Sequence, residues 1–140
     1  MIGRRNQEAY QDLTPYSAVA DIESKLKKAR EYRPLVYVCS PFAGDTAENV
    51  KNARRYCRFA VLQGYIPLAP HLLFPQFLND NDAVEREMGL HFGNVLLAFC
   101  LEVWVFGKYI SPVMETEIKR ARLKARRIRY FTEDLEEVSK

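Results

Sequence analysis

The chain has 140 residues, 48% hydrophobic and 28% charged, with a formal net charge of +3, which is the composition of a soluble globular protein with one sizeable core. No stretch approaches the roughly 18 uninterrupted apolar residues that a bilayer-spanning helix needs, and MIGRRNQEAY at the N-terminus lacks the apolar core of a signal peptide. Neither a membrane protein nor a secreted one is expected, and the cytoplasm is the expected location.

Residues 1 to 33 are polar, with a Thr14-Pro15 turn and a short helix predicted from Ser17 to Glu31, in which Val19, Ile22 and Leu26 recur at helical spacing. This segment reads as a leader, with one domain running from 34 to 140. LVYVC (35 to 39) predicts a first strand, followed by the loop SPFAGD. From Thr46, taken as N-cap, Val50, Ala53, Cys57, Ala60 and Val61 mark one face of a helix that stops at Gly64. YIPLA (65 to 69) predicts a second strand, and the loop PHLLFPQFLND leads to Asp82 as N-cap of a helix running to Phe99. LEVWVFG (101 to 107) predicts a third strand, central by its near-continuous apolarity. A helix after Ser111 ends near Lys124, IRYF (128 to 131) predicts a fourth strand, and the acidic tail predicts a last short helix. Cys39, Cys57 and Cys100 lie in apolar segments at spacings that match no zinc or redox motif, and read as reduced core residues. KRARLKARRIR (119 to 129) packs seven basic residues into eleven positions, reads as a solvated helix face, and does not by itself predict a nucleic-acid partner.

Strands alternating with helices of this length predict right-handed crossovers. The expected fold is α/β, an open doubly wound sheet of the Rossmann or flavodoxin kind, with four or five parallel strands and helices on both faces. Ligands of such sheets bind outside the carboxyl ends of the strands. The candidate site therefore lies among the loops after Cys39, Ala69, Gly107 and Phe131.

Glu115 and Glu117 fall in the first turn or so of the helix after Ser111, where backbone amides and the helix dipole favour negative charge. Residues two apart point to different sides of a helix, so the two are not an acid-base pair by themselves. One of them facing the cleft can act as a nucleophile on a sugar anomeric carbon; otherwise both are exposed helix starters. In SPFAGD, Gly44 and Asp45 precede a helix N-terminus that can bring N–H groups near an anion. His71 directly follows a strand, and a loop histidine bonded to a backbone carbonyl fits it as well as a catalytic one. No metal-ligand spacing is present, and no metal or cofactor is expected.

YVCSPFAGD, then NVKNARRYCRFAVLQGYIPLAPHLLFPQFL, then VWVFG followed by ISPVMETEIKRA, resembles the nucleoside 2-deoxyribosyltransferase superfamily. The similarity is to a branch of small deoxyribosyltransferase-like domains found on mobile elements and phages. It covers residues 34 to 131, and NQEAYQDLTP resembles that branch's leader. The resemblance implies cleavage or transfer of an N-glycosidic bond of a nucleoside or nucleoside 5′-monophosphate, with Glu117 as the nucleophile and Ala121 as the small residue one turn on. It also implies that Ser111 helps to hold a 5′-phosphate, and that Tyr37, Ser40, Pro41 and Phe42 belong to a loop lining the base and sugar pocket. Gly44, Asp45, His71 and Met114 are counted with that pocket, His71 and Phe74 being part of the branch's His-Leu-Leu-Phe-Pro motif. Two positions depart from the pattern: Val113 stands for a usual Gly, and Leu101 for an Asp that contacts the sugar or assists proton transfer. They keep open an alternative, a non-catalytic nucleotide-binding module. The implied partners are a small nucleoside or nucleotide and further copies of the chain. Met88, Leu90, Phe92, Val95, Leu96, Leu97 and Phe99 wrap more of the helix from Asp82 to Phe99 than one buried stripe needs, which predicts a homodimer or higher homo-oligomer built partly on that helix.

Overall fold

The computed structural model describes residues 15 to 139, so the leader motif up to Thr14 lies outside the described residues. The chain divides between Tyr32 and Arg33 into two units. In the first, helix α1 (Pro15–Ala29) begins two residues before the expected Ser17, with Pro15 in the first turn, where a missing N–H costs nothing. Its Tyr16, Val19, Ile22 and Leu26 are all exposed.

The second unit is built on a five-stranded sheet. Its strands are β1 (Leu35–Cys39), β2 (Ile66–Leu68), β3 (Glu102–Phe106), β4 (Arg127–Phe131) and β5 (Glu137–Val138), in the order β2-β1-β3-β4-β5. The first four run parallel and β5 pairs antiparallel with β4. Helix α2 (Thr46–Leu62) links β1 to β2, α3 (Pro70–Leu73) and α4 (Ala83–Leu97) link β2 to β3, and α5 (Pro112–Leu123) links β3 to β4. The expected α/β class, parallel core and four main strands are all present.

LVYVC and EVWVF are apolar throughout because both of their faces are covered. On one face Tyr37, Cys39, Val103 and Val105 pack with Leu97 and Cys100 and with Met114, Ile118 and Ala121 of α5. The other face sets Val36, Val38, Trp104, Phe106 and Phe131 against Tyr56 and Ala60 of α2. Tyr56 stacks on Phe106 with ring centroids 4.2 Å apart. The period of two along each strand divides these two cores. Pro67 stands in the middle of β2, opposite Val36, at the sheet edge where its missing N–H is tolerated.

Three local expectations change. Asp45, and not Thr46, caps α2, its carboxylate accepting the Glu48 N–H at 3.3 Å. The segment after β2 is not an open loop: Pro70 starts the single turn of α3, and Phe74–Gln76 adds a 3-10 turn. The acidic tail forms β5 in place of a helix. There Thr132 Oγ1 accepts the N–H groups of Asp134 and Glu136 at 3.2 Å, turning the chain back, and Arg129 holds Glu137 at 2.8 Å.

At the amino end of β3, Glu102 is buried at 5% exposure. Its carboxylate accepts Trp104 Nε1–H at 2.8 Å and the Tyr65 hydroxyl at 3.3 Å, and pairs with Arg127 and Arg129 at 3.5 Å each. Arg129 also lies over the Trp104 ring, 4.9 Å from its centroid. These contacts tie the first residues of β3 to β4 in one register, since a one-residue slip would turn Glu102 to the other face. We therefore expect Glu102→Ala to lower stability by about 1–3 kcal/mol, because it leaves the buried indole N–H without its acceptor and removes the carboxylate that joins Arg129 to β3. Urea unfolding measures it, and a loss under about 0.5 kcal/mol would contradict the role assigned.

Candidate functional site

The loops after β1, β2 and β3 rise at the carboxyl edge of the sheet and enclose a cavity of about 390 Å³. The order β2-β1-β3 places the connections from β1 and from β3 on opposite faces there, so a crevice opens between them. From the β1 side the cavity is lined by Tyr37, Ser40, Phe42 and Gly44, and after β2 by Pro70, His71 and Phe74. Ser111, Val113, Met114 and Glu117 line it after β3, with Gly89, Leu90 and Gly93 contributed by α4. Ten of the residues singled out in the sequence thus meet here: Tyr37, Ser40, Phe42, Gly44, His71, Phe74, Ser111, Val113, Met114 and Glu117. Pro41 does not line the cavity, and Asp45 is occupied in capping α2. Leu101 is 53% exposed just before β3, where its N–H donates to the Leu35 carbonyl. At the amino end of that strand it does not line the cavity, so a leucine there leaves the cavity wall unchanged.

Helix α5 presents Glu117 because of how it starts. Ser111 is the N-cap, its hydroxyl accepting the Met114 N–H at 3.2 Å, and Pro112 fits the first turn with its fixed φ. Three- and four-residue spacing then turns Met114, Glu117, Ile118 and Ala121 towards the sheet and leaves Glu115 exposed. Each carboxylate oxygen of Glu117 has one donor from β1: the Tyr37 hydroxyl donates to Oε2 and the Cys39 thiol to Oε1, at 3.3 Å for the latter. Burial raises the Glu117 carboxyl above its ordinary range, while the bonds from Tyr37 and Cys39 and the charge of Arg120 pull it back. Burial and the neighbouring carboxylate hold the Tyr37 phenol protonated, well above its ordinary value.

Gly93 is the counterpart on α4. A Cβ there would come within 3.1 Å of the Tyr37 hydroxyl, so the glycine leaves the room in which that oxygen stands. Gly44, at φ +97°, sits in a backbone conformation that side chains rarely adopt, and lets the β1 loop fold over the cavity. His71 Nε2 and Ser40 Oγ are 3.0 Å apart, and the Phe42 ring meets His71 edge-on. Burial lowers His71 to about 4, so it is a neutral imidazole at physiological pH. Among the described residues no three His, Cys, Asp or Glu side chains are grouped to hold a metal ion. Sequence reasoning missed Cys39 and Gly93. The signal for Cys39 was present, since it stands two residues after Tyr37 and so shares a face of the same strand.

A family model described as Domain of unknown function (DUF7768) matches residues 34–131, and the chain belongs to that family. No curated protein matches. Among solved structures, a 2-deoxyribosyltransferase from the psychrotolerant bacterium Bacillus psychrosaccharolyticus, described as a biocatalyst for the industrial synthesis of antiviral and antitumoral nucleosides, is similar. The TM-score is 0.55 at 13% identity, over 70% of this chain and 72% of that one. At that identity the likeness is one of fold.

The buried neutral His71 makes stability depend on pH. Its value falls from 6.5 unfolded to about 4 folded. The stability this contributes is whole above pH 6.5 and drains as pH falls towards 4, because the unfolded chain takes up a proton that the folded chain refuses; the loss is at most about 3 kcal/mol. Between pH 7 and pH 4.5 the urea midpoint of the wild type should fall further than that of His71→Gln. Equal falls would show that the ring titrates alike in both states.

Proposed function

We propose that this member of the DUF7768 family cleaves or transfers the N-glycosidic bond of a nucleoside, with Glu117 as nucleophile. The observation that carries this reading is the Glu117 carboxylate itself, oriented at the cavity by a donor on each oxygen. The similarity of fold to a 2-deoxyribosyltransferase supports it. In the reaction, a Glu117 oxygen forms a bond to the anomeric carbon as the bond to the base nitrogen breaks, and the electron pair leaves with the base. Water or a second base then attacks the same carbon and returns the carboxylate. Phe42, Phe74 and Leu90 supply apolar surface for the base, while His71 and Ser40 supply a neutral donor and acceptor beside it.

The charges of the cavity favour an uncharged nucleoside over its 5′-monophosphate. Asp80, Glu85 and Glu117 line it against one cation, Arg86, and His71 adds no charge. The start of α5 offers little to a phosphate: Pro112 has no N–H, and the Met114 N–H is already bonded to Ser111. A second reading, a nucleotide-binding module without turnover, draws support from Val113, whose branched side chain lies at the cavity wall where the deoxyribosyltransferase-like branch that the sequence resembles usually has Gly.

The same reading includes self-association. On α4 Val84 and Val95 are exposed at 70% and 45%, and Phe99 just beyond it at 70%, whereas Leu97 is fully buried. One side of the helix serves the core and the other is an apolar surface free to meet a second copy.

Incubation with nucleosides and their 5′-monophosphates, followed by chromatography for free base, tests the activity. Base release from at least one nucleoside is expected, about tenfold or more slower from its monophosphate, and about a thousandfold or more slower in Glu117→Gln. A thermal shift without base release would select the binding module, and release unchanged in Glu117→Gln would remove Glu117 from the mechanism. For assembly, light scattering should give a multiple of 16.3 kDa, falling to the single-chain mass in Phe99→Glu. A single-chain mass for the wild type at micromolar concentration would overturn the oligomer.

A further inference from the structure

Cys39 ends β1 with no exposed surface, and a cysteine so placed ordinarily does no more than fill space in the core. Two features set it apart. It shares a strand face with Tyr37, whose hydroxyl already holds Oε2 of Glu117, and its sulfur lies 3.3 Å from the other oxygen, Oε1. The competing acceptor, the Met114 carbonyl, is farther away at 3.9 Å.

We propose that Cys39 is a positioning residue for Glu117, its thiol donating to Oε1 so that, with Tyr37 on Oε2, the plane of the carboxylate is fixed across the cavity floor. This rests on the assignment of Glu117 as nucleophile. A carboxylate with one donor is free to rotate about its last torsion, which is broad and has no deep staggered wells. A second donor on the other oxygen removes that freedom. The donor has to come from β1, because the parallel pairing of β1 with β3 sets Cys39 opposite Val105, next to the strand end from which α5 departs. A thiol suits the place: it is a weaker donor than a hydroxyl, so it orients the oxygen while withdrawing little of its electron density. Burial keeps it protonated, well above the ordinary thiol value, and the Glu117 charge acts in the same direction.

The groups that set the ionisation of Glu117 are few. Tyr37 and Cys39 face it from β1 and Arg120 acts from its own helix. His71, Asp80, Glu85 and Arg86 line the same cavity, and Cys100 acts on Tyr37. Removing the thiol takes away a donor that favours the carboxylate, so Glu117 then ionises at higher pH.

Two measurements on the full chain test the proposal. The infrared S–H stretching band of Cys39, identified by its loss in Cys39→Ser, should lie at lower frequency than those of Cys57 and Cys100 and move up in Glu117→Ala. A band that does not respond to Glu117→Ala would overturn the bond. In the second, the acidic limb of the pH profile of base release should move to higher pH by about half a unit to one unit in Cys39→Ala and fall below the wild-type position in Cys39→Ser, whose hydroxyl is the stronger donor. The same limb in all three proteins would reduce Cys39 to a space-filling residue. If no nucleoside yields free base, the assignment of Glu117 fails while the infrared band still decides whether Cys39 holds its carboxylate. If Cys39→Ala fails to fold, Cys39→Ser carries the test alone: the stronger hydroxyl donor should move the limb to lower pH, and a limb left in place counts against the proposal.

Discussion

The pairing of β1 with β3 is the constraint on which the site depends. The two strands are distant in sequence, and the register Tyr37 opposite Val103 and Cys39 opposite Val105 is held by backbone bonds in the most deeply buried part of the sheet. That register decides which side chains of β1 stand beside the first turns of α5. Were β1 to slip by one residue, Val36 and Val38 would face the carboxylate and the tyrosine and cysteine would turn to α2. The hydrophobic pattern opposes the slip, because it would set a phenol and a thiol among Trp104, Phe106 and Phe131 where the small apolar Val36 and Val38 now pack. The packing of one face therefore protects the polar geometry of the other.

A carboxylate this close to the core is costly to bury, and the surroundings compensate in two ways. Donors from β1 satisfy its oxygens, and the charge of Arg120 acts on it from its own helix. Glu102 is the contrasting case in the same strand system. It is ringed by an indole, a phenol and two guanidinium groups and does not line the cavity that Glu117 faces, and it ties strands together. Accessibility, more than burial or charge, separates the two glutamates.

The sequence carried the architecture well because the signals were long. Two apolar pentapeptides, helices of twelve residues or more and Gly or Pro at their ends left little choice of fold class or of the edge where loops would gather. Glu117 was one of two acidic candidates by spacing, and helical periodicity from the buried Met114 and Ile118 picks it over Glu115 once the helix has a core to face. The losses were of short range or long range and not of pattern. Asp45 won the capping position from its neighbour Thr46 through side-chain geometry that composition does not encode. The tail became β5 because Thr132 could close a turn and Arg129 could meet Glu137, and both depend on where β4 stops. Cys39 was read as filler, since its acceptor lies 78 positions away.

The edges of the sheet set the ways in which this molecule can meet others. On one side β2 is three residues long with Pro67 at its centre, and on the other β5 is two residues long and begins with Glu137, bound by Arg129. Neither offers the long, flat row of free backbone groups that lets sheets grow from chain to chain. Growth from strand to strand into open-ended polymers is thereby disfavoured at both margins.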